Sequence, residues 1–288
     1  MNSPIIATLE AGGTKMVAGL ASGPDEILAR KRIPTTSPEE TIPALVSFFE
    51  EHQADALAVG TFGPADIDPE SSTYGFITET PKPGWRNTDL LGPLQQALGV
   101  PAVFDTDVNA ALFGEAKWGA AKDLEHAAYF TIGTGIGGAV MIKRQLIHGR
   151  GHTEMGHMRV RRHDGDSFPG VCPFHQDCLE GLASGPAIEK RWSTSAEDLP
   201  ENHPAWELEA DYLAQTCLNA LTIAPPQTII LGGGVMQQKH LFPLVRAALE
   251  KHVNGYLSLP DNFIVPPALG NNAGLLGCVA LGQNLLES

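Results

Sequence analysis

Nowhere does the chain gather the roughly 18 to 20 consecutive apolar residues that a membrane helix needs, so no membrane partner is expected. Basic residues are scarce. Lys and Arg number 19 against 33 Asp and Glu, a net charge of −14, whereas proteins that hold nucleic acid cluster Lys and Arg against the phosphate backbone. No nucleic-acid partner is expected either. The one dense basic stretch, "RVRRH" at 159–163, reads as either a solvated strand face or a site for a substrate phosphate. Cysteines number four, too few for a disulfide framework in a chain of this length. Two of them alternate with histidines, which fits a reducing compartment and metal ligation. The opening "MNSPIIATLEAGG" lacks a basic leader and reads as a first strand, not a secretory signal; a cytoplasmic protein is expected.

What is present is glycine, 31 residues of it in a chain of 288, placed where strands end. "PIIATLEAGGTKMVAGLA" reads as strand, glycine turn and strand, and "HAAYFTIGTGIGGAVMIKRQLIHG" repeats the form in the second half. "SPEETIPALVSFFEEH" reads as a helix capped by Ser37, "DLLGPLQQALG" as another, and "PAVFDTDVNAALFGEAKWGAA" as a strand that breaks at Asp105 into a helix. "DYLAQTCLNALTIAPPQTIILGGGVM" reads as helix, strand and triple glycine leading into a further helix. Each half opens with a glycine-turned hairpin and then alternates strand and helix. That pattern predicts two α/β domains with a cleft between them.

Three glycine clusters carry chemistry. "GTGIGG", Gly133 to Gly138, matches the dinucleotide fingerprint by letter, but that fingerprint must open a helix, and here a second strand follows. A dehydrogenase is therefore set aside. A glycine hairpin can instead wrap backbone N–H groups around a phosphate, and "EAGGTK", Glu10 to Lys15, has the same form. Either alone is equally a tight turn; two, one per half, favour a shared anion. The third cluster, Gly232 to Gly234 in "IILGGGV", reads as an anion or nucleotide site at a helix N-terminus.

Asp105 and Asp107 of "FDTDVNAAL" stand where a strand gives way to a helix. N-capping would account for acids there; beside the glycine hairpins, one of them fits the carboxylate that accepts a hydroxyl proton in phosphoryl transfer. Between 152 and 181, "HTEMGHMRVRRHDGDSFPGVCPFHQDCLEG" holds three candidate metal ligands at three-residue spacing, Cys172, His175 and Cys178. A fourth from upstream would close a tetrahedral zinc site with no open position; His157, His163 and His152 compete for that place. "HTE" followed by "VCPFHQDC" is near the zinc-deaminase pattern, but His175 stands where a second cysteine belongs and no proline precedes Cys172.

Taken in order, "EAGGTK", "GTFGP", "DTDVNAA", "TIGTGIGGAV", "EMGH", the Cys/His cluster ending in "CLEG", "LGGGV" and "ALGNNAGLLG" resemble the ROK family of sugar kinases over nearly the whole chain, with the ROK fructokinases as the nearest branch. The resemblance implies two actin-like (ribonuclease H-like) α/β domains, at 1–122 and 123–271, that close over a hexose and MgATP, with a C-terminal helix at 272–288 returning to the first. It implies Asp107 as the base that takes the proton from the 6-hydroxyl of fructose. It assigns Gly12, Gly13, Thr14 and Lys15 to one phosphate loop, and Gly133, Thr134, Gly135 and Gly137 to the other. Gly232, Gly233 and Gly234 fall to the adenosine, and Gly63, Pro64, Thr106, Asp107, Glu154, His157 and Glu180 to the sugar. Two carboxylates suit a polyol, since each accepts more than one hydroxyl hydrogen. The family's zinc histidine ends "E-x-G-H", which makes His157 the fourth ligand beside Cys172, His175 and Cys178 in the segment 157–178; the zinc is read as structural, and a homodimer is implied.

Three departures bear on the substrate. Glu10 stands where many members carry Asp near Mg²⁺, Thr106 where an Asn contacts the sugar, and Cys172-Pro-Phe-His175-Gln-Asp-Cys178 where a cysteine-richer run is usual. All three resemble the fructokinase branch and favour fructose over glucose. Glucose, mannose and N-acylmannosamine kinases remain the alternatives, with a catalytically silent sugar sensor. A repressor of the family is disfavoured because no helix-turn-helix segment precedes the first strand.

Overall fold

The computed structural model describes residues 3–287, and the chain divides into two compact units. The first takes the residues up to Asp123, the short segment Ile147–His152 and everything from Ala268 on; the second takes Leu124–Leu146 and Thr153–Pro267. The six residues 147–152 were expected in the second domain; they belong to the first unit although both flanks belong to the second.

In the first unit, strands β1 (Ile6–Ala11), β2 (Lys15–Gly23) and β3 (Glu26–Pro34) run antiparallel. Helix α1 (Pro38–Glu50) leads to β4 (Ala56–Thr61). A small two-stranded ribbon, β5 (Phe76–Ile77) and β6 (Thr88–Asp89), precedes α2 (Leu91–Leu98), β7 (Ala102–Thr106) and α3 (Asp107–Trp118). The sheet order is β3-β2-β1-β4-β7, with β1, β4 and β7 parallel. Alternation along the strands sorts the two faces. Ala7, Leu9, Leu57, Val59 and Phe104 join Leu45, Phe48, Phe49, Leu91 and Leu94 of α1 and α2 in one core.

The second unit repeats this plan. Its strands β8 (Ala127–Ile132), β9 (Ile136–Ile142) and β10 (Gln145–Leu146) are antiparallel, and its helices are α4 (Leu179–Ala183), α5 (Gly185–Trp192), α6 (Ala205–Ile223) and α7 (Leu241–Val253). With β11 (Thr228–Gly232) and β12 (Ile264–Val265) the sheet order is β10-β9-β8-β11-β12, β8, β11 and β12 being parallel. Its core packs Phe130, Ile132, Ile229 and Leu231 against Trp206, Tyr212, Leu213 and Leu249. Both sheets are mixed, and both units are α/β.

The C-terminal helix α8 (Ala273–Glu287) lies in the first unit against α3, β1 and β4. Two glycines set its crossing with α3: a Cβ on Gly114 would stand 2.8 Å from the Gly277 nitrogen, and one on Gly277 2.0 Å from the Ala110 oxygen. Backbones this close leave no room for side chains, so an alanine at either place would push the helices apart.

Some expected details differ. Ser37 occupies the N-cap of α1, but its side chain makes no capping bond, and Pro38 takes the first turn. The triple glycine runs into a single 3-10 turn, Val235–Gln237, and α7 begins only at Leu241, so no α-helix N-terminus stands at Gly232 to Gly234. The backbone there turns through Gly233 at φ +92, where a Cβ would meet the Ile132 oxygen at 2.3 Å, a conformation and a spacing only glycine tolerates. Residues 159–163 form no strand. Arg159 pairs with Asp177, and Arg162 with Asp177 and Asp166, because acids supplied by the same loop compete with any outside anion.

Candidate functional site

In the first unit the parallel register places three turns along one edge of the sheet. Ala11 of β1 stands opposite Thr61 of β4, and Thr61 opposite Thr106 of β7, so Gly12 to Thr14, Gly63 with Pro64, and Asp107 all follow the C-terminal ends of neighbouring strands. Ligands of parallel α/β sheets bind at such ends. The Gly12 N–H donates to the Lys15 oxygen at 3.1 Å, closing the first turn. Glu10 ends up beside α8, where a Cβ on Gly274 would lie 2.4 Å from its carboxyl carbon, and burial pushes its pKa up against the pull of Arg30, Lys15 and Arg32.

The base candidate is built by its neighbours. Neither aspartate caps α3: Thr106 is the N-cap, its hydroxyl accepting from the Asn109 N–H at 3.2 Å. Thr106 is buried, so its side chain is committed to the helix. Asp107 is then the first helical residue, half-buried, with Oδ1 accepting from the Val108 N–H at 2.8 Å. Buried Asp105 has a different task. Its Oδ1 accepts from the Thr106 N–H at 2.7 Å and from Asn109 Nδ2 at 2.6 Å, while His148 Nε2 lies 2.8 Å from Oδ2. His152 belongs to the same unit, where its Nε2 accepts from the Ala65 N–H at 3.1 Å; this is the turn that holds Gly63 and Pro64, far from any cysteine in sequence and engaged with backbone. Neither contact has a sequence signature, because only tertiary folding brings residues 148–152 to the ends of β4 and β7.

In the second unit the two remaining glycine clusters meet. Thr131 of β8 stands opposite Gly232 of β11, and a Cβ on Gly133 would lie 3.8 Å from the Gly234 nitrogen. The turn at Gly133, Thr134 and Gly135 closes with a Gly133 N–H to Gly135 oxygen bond of 2.9 Å. Glu180, at the start of α4, reaches into this turn: its Oε2 accepts from the Ile136 N–H at 2.9 Å, and a Cβ on Gly135 would stand 2.7 Å from the same oxygen. Gly137 follows within β9. Glu154 precedes the 3-10 turn Met155–His157 and His157 ends it, with His157 Nε2 3.9 Å from a Glu154 oxygen.

The opposite edge of that imidazole faces sulfur. His157 Nδ1 is 3.4 Å from Cys178 Sγ and 3.7 Å from Cys172 Sγ, and His175 Nδ1 is 3.8 Å from Cys172 Sγ. One ligand atom from each of the four residues lies within 4.8 Å of the others. Zn–S bonds of about 2.3 Å and Zn–N bonds of about 2.0 Å in a tetrahedron need ligand separations of about 3.3 to 3.8 Å, so the donor set and its spacing fit a closed site. Both cysteines are buried, and burial together with the neighbouring thiol pushes Cys178 up to about 11; a bound cation would reverse that by favouring thiolate. His163 is exposed and turned to the Asp164 oxygen at 3.0 Å, outside the cluster.

Known proteins can now be set beside this geometry. A family model described as "ROK family" matches residues 6–284. A protein named fructokinase from Pediococcus pentosaceus is 44% identical over 286 residues, covering 99% of each chain. Among solved structures, a ROK hexokinase from Thermus thermophilus superimposes with a TM-score of 0.82 at 25% identity, covering 98% of this chain and 99% of its own. A ROK glucokinase from Streptomyces griseus, solved with glucose and AMPPNP, gives 0.78 at 25% identity, covering 97% and 99%. With the match of the family model extending over nearly all of its sequence, the chain belongs to the ROK family.

Proposed function

We propose that the protein is an ATP-dependent fructokinase that transfers the γ-phosphate of ATP to the 6-hydroxyl of D-fructose. The observation that carries the reading is the line of strand ends in the first unit, where one half-buried carboxylate, Asp107, stands beside two glycine turns. Identity of 44% over essentially the full length of a relative named fructokinase supports the substrate.

In this reading Asp107 accepts the proton of the 6-hydroxyl as its oxygen attacks the γ-phosphorus; the bond from that phosphorus to the β,γ-bridging oxygen breaks, and ADP leaves with the electron pair. Asp107 suits the role because it is half-buried at the first helical position, with Thr106 holding the cap and Asp105 the buried turn. Gly12, Gly13, Thr14 and Lys15 in the first unit, and Gly133, Thr134, Gly135 and Gly137 in the second, offer backbone N–H groups and one ammonium to the phosphates. Gly232 to Gly234 approach the adenosine. Gly63, Pro64 and the Thr106 backbone, with Glu154, His157 and Glu180, hydrogen-bond the sugar. Bound Mg²⁺ would offset the phosphate charge, held mostly by the phosphates themselves, with Glu10 as a carboxylate donor beside the first turn.

We assign the Cys/His cluster to a structural Zn²⁺ held by His157 Nδ1, His175, Cys172 and Cys178. With Nδ1 of His157 on the metal, Nε2 would face Glu154, so a bound ion would hold the sugar-binding turn in place and supply no group to the reaction. The repeated hairpin-then-parallel strand order supports an actin-like (ribonuclease H-like) class for each unit.

The test is MgATP-dependent ADP release against fructose, glucose, mannose and N-acetylmannosamine, with Asp107→Asn in parallel. Fructose should lead, and Asp107→Asn should lower kcat by a factor of about 10² to 10⁴. Turnover led by another hexose would overturn the substrate, and no turnover with any sugar from folded protein would overturn the kinase.

A further inference from the structure

The strap Ile147–His152 lies in the first unit and is pinned at both ends. At one end the His148 ring reaches Asp105; at the other His152 Nε2 accepts from the Ala65 N–H at 3.1 Å, with its ring 3.2 Å from where a Gly63 Cβ would stand. Between them the Gly149 N–H donates to the Gly151 oxygen at 3.0 Å. The strap therefore bridges the turn after β4 and the turn after β7, which carry Gly63, Pro64 and Asp107. Nothing in the assigned reaction uses it.

We propose that His148 is a positioning residue for phosphoryl transfer, acting through Asp105 to hold the turn that carries Asp107. The inference rests on the kinase reading above. Asp105 is buried, and a carboxylate there must have every oxygen engaged. Oδ1 accepts twice, from the Thr106 N–H and Asn109 Nδ2, and those two bonds set the first turn of α3 around Asp107. Oδ2 has His148 Nε2 at 2.8 Å. A carboxylate only accepts, so Nε2 carries the proton and donates. The hydrogen bond to Asp105 raises the His148 pKa, the direction expected of a ring nitrogen that donates to a carboxylate. Without this donor Asp105 would swing toward another donor or take up water, and the Thr106 and Asn109 bonds that fix the Asp107 backbone would move with it. Asn109 Nδ2 is also 3.2 Å from His148 Nε2, so the three side chains form one packed group. His148 itself is partly exposed, with 42% of its side chain accessible, so its loss is not expected to unfold the unit.

Steady-state kinetics with fructose and MgATP on the full chain, its His148→Ala variant and its His148→Gln variant test this. Gln keeps an N–H donor of similar reach, whereas Ala removes it. His148→Ala should lower kcat by about tenfold to a hundredfold, the scale of a sub-ångström to 1 Å misplacement of a catalytic group. KM for fructose and for MgATP should stay within about twofold, the pattern of an interaction that matters only in the transition state. His148→Gln should recover most of the lost kcat. A folded His148→Ala with unchanged kcat overturns the proposal, and so does a variant that changes only KM, or a Gln variant no better than Ala. If the unsubstituted protein itself shows no turnover with any hexose, the kinase reading has failed and this proposal falls with it.

Discussion

Replacing Gly181 by alanine tests the metal reading through the backbone alone. A Cβ at Gly181 would stand 1.7 Å from the Gln176 oxygen and 3.2 Å from the Cys172 Cβ. An ordinary carbon–oxygen contact lies at about 3.2 Å or more, so the Gln176 carbonyl must retreat by about 1.5 Å or α4 must shift by as much. Gln176 sits between the proposed ligands His175 and Cys178, and its N–H and carbonyl both bond Cys172, at 2.9 and 3.3 Å. Metal–ligand bonds tolerate about 0.2 Å, so a displacement several times larger should weaken zinc binding by at least tenfold and destabilise the unit by about 1 to 3 kcal/mol, as overpacking does. The assay is competition for zinc against a chromophoric chelator, with metal content measured directly, and Gly23→Ala as control because nothing lies within 4 Å of a Cβ there. If Gly181→Ala holds one zinc with unchanged resistance to the chelator, the argument from ligand spacing is wrong.

Glu180→Ala removes the acceptor that holds the Ile136 N–H at the second glycine turn; KM for both fructose and MgATP should rise, by about tenfold if a buried donor is left unsatisfied, and a change confined to fructose would leave Glu180 a sugar ligand alone. On the zinc reading, treatment with a chelator should lower the melting temperature and raise KM for fructose, both restored by Zn²⁺ but not by Mg²⁺; an unchanged melting temperature would refute a structural ion. The His148 pKa is raised above its ordinary 6.5 by the Asp105 hydrogen bond, so the folded state binds that proton more tightly than the unfolded chain does. The stabilisation is complete below 6.5 and fades as pH rises through the folded value. The urea-midpoint difference between the wild type and His148→Gln should shrink as pH increases, and a difference that grows would reverse the sign of the argument.

Much of this protein is written locally. Short apolar runs beside glycine turns determine the hairpins at Gly12 and Gly133, and helical period after Pro38 and after the break at Asp105 determines the helices at 38–50 and 107–118, because strand and helix periodicity are properties of neighbouring residues. The spacing of Cys172, His175 and Cys178 is legible for the same reason, whereas the choice of Asp107 over Asp105 comes from the family resemblance. Tertiary structure decided what depends on residues far apart in the chain. Three positions could supply the fourth metal ligand by sequence, and packing of the 3-10 turn against α4 brought His157 Nδ1 to the sulfurs while His163 faced solvent. By sequence Asp105 and Asp107 are the candidate caps of α3, yet the fold gave the cap to Thr106, while Asp105 was claimed by Asn109 and His148. A hydrogen bond between residues 43 positions apart leaves no periodic trace, since its energy depends on where two strand ends and a strap meet in space.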